Sequence, residues 1–202
     1  MNKYELPETH KECLLTLMSH IHNLFLKHNI KYFIDGGTLL GAEREKDIIS
    51  HDDDIDIGVM SKHWYKLPNI LKELADEKYK IHYQIEDYLI KVFVPGMWLK
   101  EKETNRIIAT PTIDIFKWKK SNGKIELESL IQRRDFKNCY YNVEEMFPLK
   151  IYQLNNLCLW GAKNSKPYLF RYYGNDCLTT KKRYIRDEKN ALYKNDVEII
   201  SS

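Results

Sequence analysis

The sequence lacks the features that mark membrane-spanning, secreted or nucleic-acid-binding chains. No stretch reaches the roughly 20 apolar residues of a membrane-spanning helix, and the polar residues 1–12 lack the apolar core of a signal peptide. The formal net charge is only +3, whereas a surface that binds nucleic acid usually shows a strongly basic patch. We therefore expect a cytoplasmic protein with no transmembrane segment and no nucleic-acid partner.

Neither the cysteines nor the histidines are spaced like a disulfide framework or a zinc site. The cysteines are scattered along the chain, at Cys13, Cys139, Cys158 and Cys177. Because both kinds of site need closer or more regular spacing, we expect reduced thiols that are mostly buried. The first helical segment contains His10, His20, His22 and His28. They lack the one-turn spacing and carboxylate partner of a metal-binding helix, so we expect solvated side chains.

The pattern of apolar residues predicts helices that alternate with short strands. Helical spacing predicts an amphipathic helix over residues 9–29 and a short helix that runs from a Thr38 cap to Arg44. A third helix is predicted after a Ser61 cap, with an interruption at Pro68. Runs of β-branched and aromatic residues predict strands over residues 31–34, 54–59, 79–85, 88–94 and 110–118. This order indicates an α+β fold, or an α/β one, in which helices pack on a mixed sheet.

The C-terminal part of the chain predicts a small extension packed on this core. The predicted elements are a strand pair over residues 151–154 and 157–160 and a helix over residues 168–173 that ends at Gly174. Residues 100–106 are predicted to form a loop. A length of 202 residues fits one globular unit. We divide it into a core over residues 1–145 and an extension over residues 146–202.

The densest group of chemically active side chains is the acidic run over residues 52–56. Alternate side chains of a strand share a face, which predicts Asp52, Asp54 and Asp56 on one side and Asp53 facing elsewhere. Crowded carboxylates raise one another's pKa, and Mg²⁺, which prefers oxygen ligands, relieves that repulsion. A solvated acidic turn and a calcium loop fit less well, because a calcium loop spreads its ligands over about twelve residues.

Two glycines after the first predicted strand, Gly36 and Gly37, indicate a second part of the same site. Glycine lets the backbone approach a phosphate closely, and the N-terminus of a following helix favours an anion. Arg44, near the end of that helix, can hold a phosphate through two hydrogen bonds. An ordinary turn and a surface arginine are the alternatives at these positions.

Asp114 is the candidate for a third acid. It is the sole charged residue in the apolar segment 112–116, and a buried acid without a partner is costly. Two metal ions held about 4 Å apart for displacement at phosphorus require a further carboxylate. The alternative is a structural salt bridge.

These motifs resemble those of the LicD family, which includes the fukutin and fukutin-related proteins. The segments Gly-Gly-Thr-Leu-Leu-Gly-Ala-Glu-Arg, residues 36–44, and Asp-Asp-Asp-Ile-Asp-Ile, residues 52–57, follow the family pattern without a gap. Three later segments also resemble the family, namely residues 113–116, 147–149 and 168–174. The chain departs from the pattern over residues 45–51, where the family usually has small residues and a Pro-Trp pair.

The resemblance implies a nucleotidyltransferase fold and an enzyme that depends on Mg²⁺, with Mn²⁺ as the alternative ion. Such an enzyme moves a phosphoalcohol, phosphocholine or ribitol phosphate, from a CDP-linked alcohol donor to a sugar hydroxyl of a glycan acceptor. Asp54, Asp56 and Asp114 are the implied metal ligands and catalytic residues, and Asp114 is also a candidate acceptor for the hydroxyl proton. The implied phosphate-binding residues are Gly36, Gly37, Thr38 and Arg44.

Two other functions are open. A nucleotidylyltransferase of the same fold moves NMP from an NTP to a small molecule or protein and releases pyrophosphate. A non-catalytic module binds nucleotide without turnover, although the three acids argue against it. Trp160, Tyr172 and Tyr173 are able to stack on a base or sugar, but we expect core packing for each.

Overall fold

The computed structural model describes residues 6–75, 78–83, 87–97, 99–100, 107–186 and 193–199, with the backbone alone for 99–100, 107–109, 182–186 and 193–199. The helices are α1 (Glu8–Lys27), α2 (Gly36–Arg44), α3 (Ser61–Trp64), α4 (Leu67–Leu71), α5 (Leu130–Asp135), α6 (Val143–Met146) and α7 (Lys166–Tyr173). The strands are β1 (Tyr32–Ile34), β2 (Asp54–Met60), β3 (Lys80–Tyr83), β4 (Leu89–Phe93), β5 (Leu99–Lys100), β6 (Ile107–Ala109), β7 (Thr112–Ser121), β8 (Lys124–Leu127), β9 (Tyr140–Asn142), β10 (Lys150–Leu154), β11 (Leu157–Gly161), β12 (Lys182–Arg186) and β13 (Tyr193–Ile199).

One mixed sheet organises the fold. Its strands follow the order β1-β2-β7-β4-β3, and β8 extends it from β7 to β9. Strands β2 and β7 are parallel, whereas β1, β4 and β8 pair with their neighbours in antiparallel fashion. Separate antiparallel pairs form from β5 and β6, from β10 and β11, and from β12 and β13. The mixed sheet with its helices confirms the predicted α+β class.

One face of this sheet is apolar and forms the centre of the core. Alternation along β2 and β7 places fully buried isoleucines on it, namely Ile55, Ile57, Ile113 and Ile115. Helix α1 contacts both strands, and its buried apolar residues are Leu14, Leu15, Leu17, Met18, Ile21, Leu24 and Phe25. Because the isoleucines occupy alternate positions, the intervening side chains of β2 and β7 must point to the opposite face.

The opposite face carries the predicted acids at one end and a group of aromatic rings at the other. Trp118 lies edge-on to Phe33, with ring centroids 5.5 Å apart, and its ring is tilted against that of Tyr141 at 5.6 Å. Tyr141 stacks on Tyr168 of α7 at 4.0 Å. Helix α7 therefore packs against the aromatic end of the face that carries the acids.

Two predicted helix caps are wrong. Helix α2 begins at Gly36, so Thr38 lies within its first turn and Asp35 occupies the cap position. Ser61 is the first residue of α3 rather than its cap, and its hydroxyl donates to the backbone carbonyl of Trp118. In both cases a partner elsewhere in the fold engages the hydroxyl. The predicted interruption at Pro68 is confirmed, because Pro68 lies at the start of α4.

The prediction that the histidines of α1 are solvated is wrong, and the prediction that the cysteines are buried holds for two of the four. His10 is buried, and the rings of His20 and His22 hydrogen-bond to tyrosine hydroxyls at 2.7 and 2.6 Å. None of the four cysteines, all of which lie in the described part of the chain, forms a disulfide. Cys139 and Cys177 are buried, Cys13 is partly buried and Cys158 is exposed.

Further along the chain, the strand pair β10–β11 and helix α7 confirm the predicted elements. Strands β8 and β9 and helices α5 and α6 were not predicted. Lys100, predicted to begin a loop, lies in β5, and residues 101–106 of that loop are outside the described residues. The same is true of residues 84–85, at the end of the first strand of the predicted hairpin, which otherwise appears as β3 and β4. The division at residue 145 stays a prediction. None of the described helices is both long and apolar enough to cross a membrane.

Candidate metal and phosphate site

Three predicted acids converge because β2 and β7 are parallel and in register. Asp56 lies directly opposite Asp114 in the pairing of the two strands, and Asp54 lies opposite Thr112. One carboxylate oxygen from each of Asp54, Asp56 and Asp114 lies within 4.8 Å of the others. The structure therefore brings together the three residues that the sequence predicted as metal ligands.

The start of the acidic run differs from the prediction. Strand β2 begins at Asp54, so the alternation of a strand does not extend back to Asp52 and Asp53. Carboxylate oxygens of Asp52, Asp53 and Asp54 lie within 4.8 Å of one another. Asp53 therefore belongs to a second acidic group that adjoins the first, and its orientation away from Asp56 stays a prediction.

The electrostatics of Asp56 reflect this crowding. Burial raises the pKa of the Asp56 carboxyl well above its ordinary value, and the negative charges of Asp54, Asp114, Asp52 and Asp35 raise it further. A divalent cation would remove this repulsion, and hard carboxylate oxygens are the ligands that Mg²⁺ prefers. The residues present therefore fit a Mg²⁺ ion, and Mn²⁺ accepts the same oxygen ligands.

Gly36 and Gly37 lie directly against the acids. A Cβ atom on Gly36 would approach Oδ2 of Asp56 to 2.8 Å, and one on Gly37 would clash with Oδ2 of Asp52. Gly36 also has a φ of +52°, which residues other than glycine rarely adopt. The bare backbone at the N-terminus of α2 therefore borders the acidic cluster.

Thr38 connects α2 to the strand that carries the acids. Its Oγ1 accepts a hydrogen bond of 2.8 Å from the backbone N–H of Asp56. This bond fixes the position of Asp56 relative to α2. Contact between Thr38 and a phosphate stays a prediction.

The structure does not bring Arg44 to the acids. Its Nε and Nη2 donate to Glu45 at 3.0 and 2.6 Å. Its Nη1 donates to the backbone carbonyls of Cys177 and Thr180 at 3.1 and 3.3 Å. The side chain is only 8% exposed, so it is not a surface arginine either. Arg44 connects the end of α2 to the segment that follows α7, and a contact with phosphate would require these bonds to break.

Three residues outside the predicted metal ligands and phosphate-binding residues border the site. Lys91 of β4 pairs with Asp114. Asp35 is buried, which raises its pKa, and it accepts a hydrogen bond of 2.6 Å from the Tyr141 hydroxyl. The Tyr173 hydroxyl lies 3.6 Å from the Cβ position of Gly36. The alternation of side chains along β4 could have singled out Lys91, but the sequence did not show which strand lies beside β4.

The match to a known family agrees with this geometry. Residues 29–164, more than half of the chain, match the family described as LicD/FKTN/FKRP, nucleotidyltransferase domain. The mixed sheet with its helices and its paired acids on adjacent strands therefore belongs to a nucleotidyltransferase domain. The chain belongs to the LicD/FKTN/FKRP family.

Several curated proteins are similar in sequence. An uncharacterized protein of Rickettsia prowazekii is 29% identical over 173 residues, or 86% of this chain and 58% of that protein. One of Rickettsia typhi is 31% identical over 173 residues, or 86% of this chain and 49% of that protein. The lipopolysaccharide cholinephosphotransferase LicD of Haemophilus influenzae is 32% identical over 81 residues, which are 40% of this chain and 30% of that enzyme. The chain spans about half the length of the rickettsial relatives.

Two solved structures overlay on the chain at low scores. The lincosamide antibiotic adenylyltransferase LnuA, bound to lincomycin, has a TM-score of 0.48 and 16% identity, covering 86% of this chain and 97% of that one. ANT(2")-Ia in complex with adenylyl-2"-tobramycin has a TM-score of 0.48 and 14% identity, covering 73% of this chain and 68% of that one. The family match, rather than these overlays, identifies the domain.

Proposed function

We propose that this chain carries the catalytic centre of a Mg²⁺-dependent transferase that moves a phosphoalcohol from a CDP-linked donor to a sugar hydroxyl of a glycan. The observation that carries this assignment is the convergence of Asp54, Asp56 and Asp114, whose carboxylate oxygens lie within 4.8 Å of one another. Magnesium sites usually combine one or two such carboxylates with phosphates of the substrate. Family membership supports the transferase class, and similarity to a cholinephosphotransferase supports phosphocholine as the transferred group.

The residues of β2 and the N-terminus of α2 have separate parts in this proposal. Asp54 and Asp56 would hold Mg²⁺ or Mn²⁺, and the bound ion would neutralise charge that develops on the donor's diphosphate. Gly36 is buried and Gly37 is partly exposed, and both place backbone without a side chain next to these acids. Phosphate oxygens can therefore approach the N-terminus of α2, where the helix dipole favours an anion.

In the proposed reaction, the acceptor hydroxyl oxygen attacks the phosphorus that carries the alcohol. A bond forms between these two atoms, and the bond from that phosphorus to the oxygen bridging it to CMP breaks. CMP leaves with the bonding electron pair. Asp114, on the strand next to Asp56, is the proposed acceptor of the hydroxyl proton.

The direct test is release of CMP from CDP-choline, CDP-ribitol and CDP-glycerol in the presence of Mg²⁺ and a panel of glycan acceptors. Replacing Asp54 and Asp56 by Asn should lower the rate by about a hundredfold or more, because loss of the ion removes several kcal/mol of transition-state stabilisation. Asp135→Asn is the matched control, since Asp135 forms an exposed ion pair with Arg134. Equal rates in the double variant and the wild type would contradict the assignment.

The same assays separate the proposed reaction from its alternatives. Release of pyrophosphate from an NTP, with no CMP from any CDP-alcohol, would identify a nucleotidylyltransferase. Nucleotide binding without turnover of any donor would identify a non-catalytic module.

A further inference from the structure

Lys91 stands in the middle of β4, directly opposite Asp114 in the antiparallel pairing with β7. Its Nζ donates to Oδ2 of Asp114. Asp114 in turn has a carboxylate oxygen within 4.8 Å of oxygens from Asp54 and Asp56. The ammonium of Lys91 is therefore a positive charge at the border of the acidic cluster.

The two partners of this ion pair differ in exposure. The Asp114 side chain is only 7% exposed, whereas that of Lys91 is 36% exposed. Lys91 thus reaches the buried Asp114 carboxylate from the solvent side. A lysine carries a compact charge on a flexible stem, so its Nζ can move from a carboxylate to a nearby phosphate with little cost to the backbone.

The arginine predicted from sequence to bind phosphate is held elsewhere. Arg44 is 8% exposed and donates to Glu45 and to the carbonyls of Cys177 and Thr180. A diphosphate bound beside the acids would bring further negative charge to a region that is already acidic. Lys91 is placed to offset that charge at the cost of one ion pair, the one with Asp114.

We propose that Lys91 contacts the donor's diphosphate, and that its Nζ exchanges Asp114 for a phosphate oxygen when the metal-bound donor enters. This inference rests on the proposed function, because it assumes that a diphosphate binds beside the three acids. The competing explanation is a purely structural counter-ion for buried Asp114. A counter-ion role predicts changes in stability and metal affinity, but no change in diphosphate affinity.

The test is calorimetric titration of the Mg²⁺-saturated protein with inorganic pyrophosphate and, separately, with CDP. Lys91→Gln removes the charge but keeps an amide donor for Asp114, and Lys91→Arg keeps the charge. We expect affinity for both ligands to fall about tenfold to a hundredfold in Lys91→Gln, the usual range for a lost charge-assisted hydrogen bond. Lys91→Arg should retain most of the affinity, and the affinity of Lys91→Gln for Mn²⁺ alone should not fall.

Lys117→Gln is the matched control. Lys117 of β7 also pairs with carboxylates, those of Asp87 before β4 and Glu128 after β8, both at 3.3 Å, but neither belongs to the acidic cluster. This variant should bind pyrophosphate and CDP like the wild type. A thermal unfolding curve for each variant shows that it is folded under the titration conditions.

The outcomes separate this inference from the function on which it rests. Wild-type affinity of Lys91→Gln for both ligands would overturn the contact between Lys91 and diphosphate. Binding of pyrophosphate that depends on Lys91, with CDP bound no more tightly than pyrophosphate, would support the contact and contradict the CDP-linked donor. If the wild type bound neither ligand, both proposals would fail.

Discussion

At the scale of single residues, the site is defined by carboxylates that the fold holds closer than their charges favour. Asp56 is the clearest case, since burial and four neighbouring acids all raise its pKa. Such crowding costs stability in the absence of a cation. The same crowding becomes favourable when a divalent ion binds, because each negative charge then has a partner.

In the metal-free protein, Asp56→Asn should raise the free energy of unfolding near neutral pH, because the amide removes a buried charge that its neighbours repel. The folded-state pKa of Asp56 lies above its ordinary value of 3.8. The contribution of the protonated Asp56 carboxyl to the free energy of unfolding is therefore complete below about pH 4 and is lost as pH rises through the folded-state pKa. The stability difference between variant and wild type should grow over the same interval. Urea unfolding in EDTA at a series of pH values measures it.

Addition of Mg²⁺ should reverse the order of stability, so that the wild type becomes more stable than Asp56→Asn. A ligand that binds only the folded state stabilises it by mass action, and the wild type alone retains the full set of acids. Asp135→Asn should behave like the wild type in both conditions. A stability difference that stayed constant with pH would contradict the crowding of carboxylates as its cause.

Gly36→Ala should lower Mn²⁺ affinity, because the added Cβ would approach Oδ2 of Asp56 to 2.8 Å and displace it. Gly123→Ala is a matched control for backbone strain, since Gly123 has a φ of +75° and nothing lies within 4 Å of its Cβ position. Both variants should lose roughly 1–2 kcal/mol of stability from the left-handed backbone. Only Gly36→Ala should lose metal affinity, as measured by electron paramagnetic resonance of Mn²⁺. Equal metal affinity in the two variants would show that Gly36 does not border the ion.

At the scale of secondary-structure elements, the site depends on how α2 is fixed between β2 and the C-terminal segment. Thr38 in the first turn of α2 accepts from the backbone N–H of Asp56. Arg44 at the end of the helix donates to the carbonyls of Cys177 and Thr180. Helix α2 is therefore held at both ends, and its N-terminus stays against the acids.

Arg44→Lys tests whether this arginine acts through the fold or through substrate. A lysine cannot reproduce the set of bonds that the guanidinium makes, so unfolding by urea should show a loss of roughly 1.5–3 kcal/mol. Affinity for pyrophosphate with Mg²⁺ should change little. A large loss of pyrophosphate affinity with unchanged stability would instead support the contact between Arg44 and phosphate that was predicted from the sequence.

The two helix caps that were predicted wrongly also concern the placement of secondary-structure elements. Thr38 and Ser61 each stand near a predicted helix start and are common cap residues. Their hydroxyls instead hydrogen-bond to groups distant in sequence, the backbone amide of Asp56 for Thr38 and the backbone carbonyl of Trp118 for Ser61. Local sequence does not contain the competing partner, so it cannot reveal which bond forms.

At the scale of the whole molecule, the parts that could be predicted from sequence are those with local signals. Alternation of acids with isoleucines predicted β2 and its two faces, and the segment around Asp114 predicted β7. Contacts between distant segments that no motif marks could not be predicted, because they depend on the order and register of strands. Lys91 and Asp114 are 23 residues apart, Tyr141 and Asp35 are 106 apart, and Arg44 and Cys177 are 133 apart.

We propose that Asp54, Asp56 and Asp114 bind a divalent ion that holds a CDP-linked donor. The most direct measurement is the shift in melting temperature caused by CDP-choline, CDP-ribitol or CDP-glycerol, with Mg²⁺ and with EDTA, in the wild type and in the protein with Asp54→Asn and Asp56→Asn. We expect at least one CDP-alcohol to raise the melting temperature of the wild type only when Mg²⁺ is present, and to have no effect on the variant. A shift of the same size in EDTA, or in the variant, would contradict the claim.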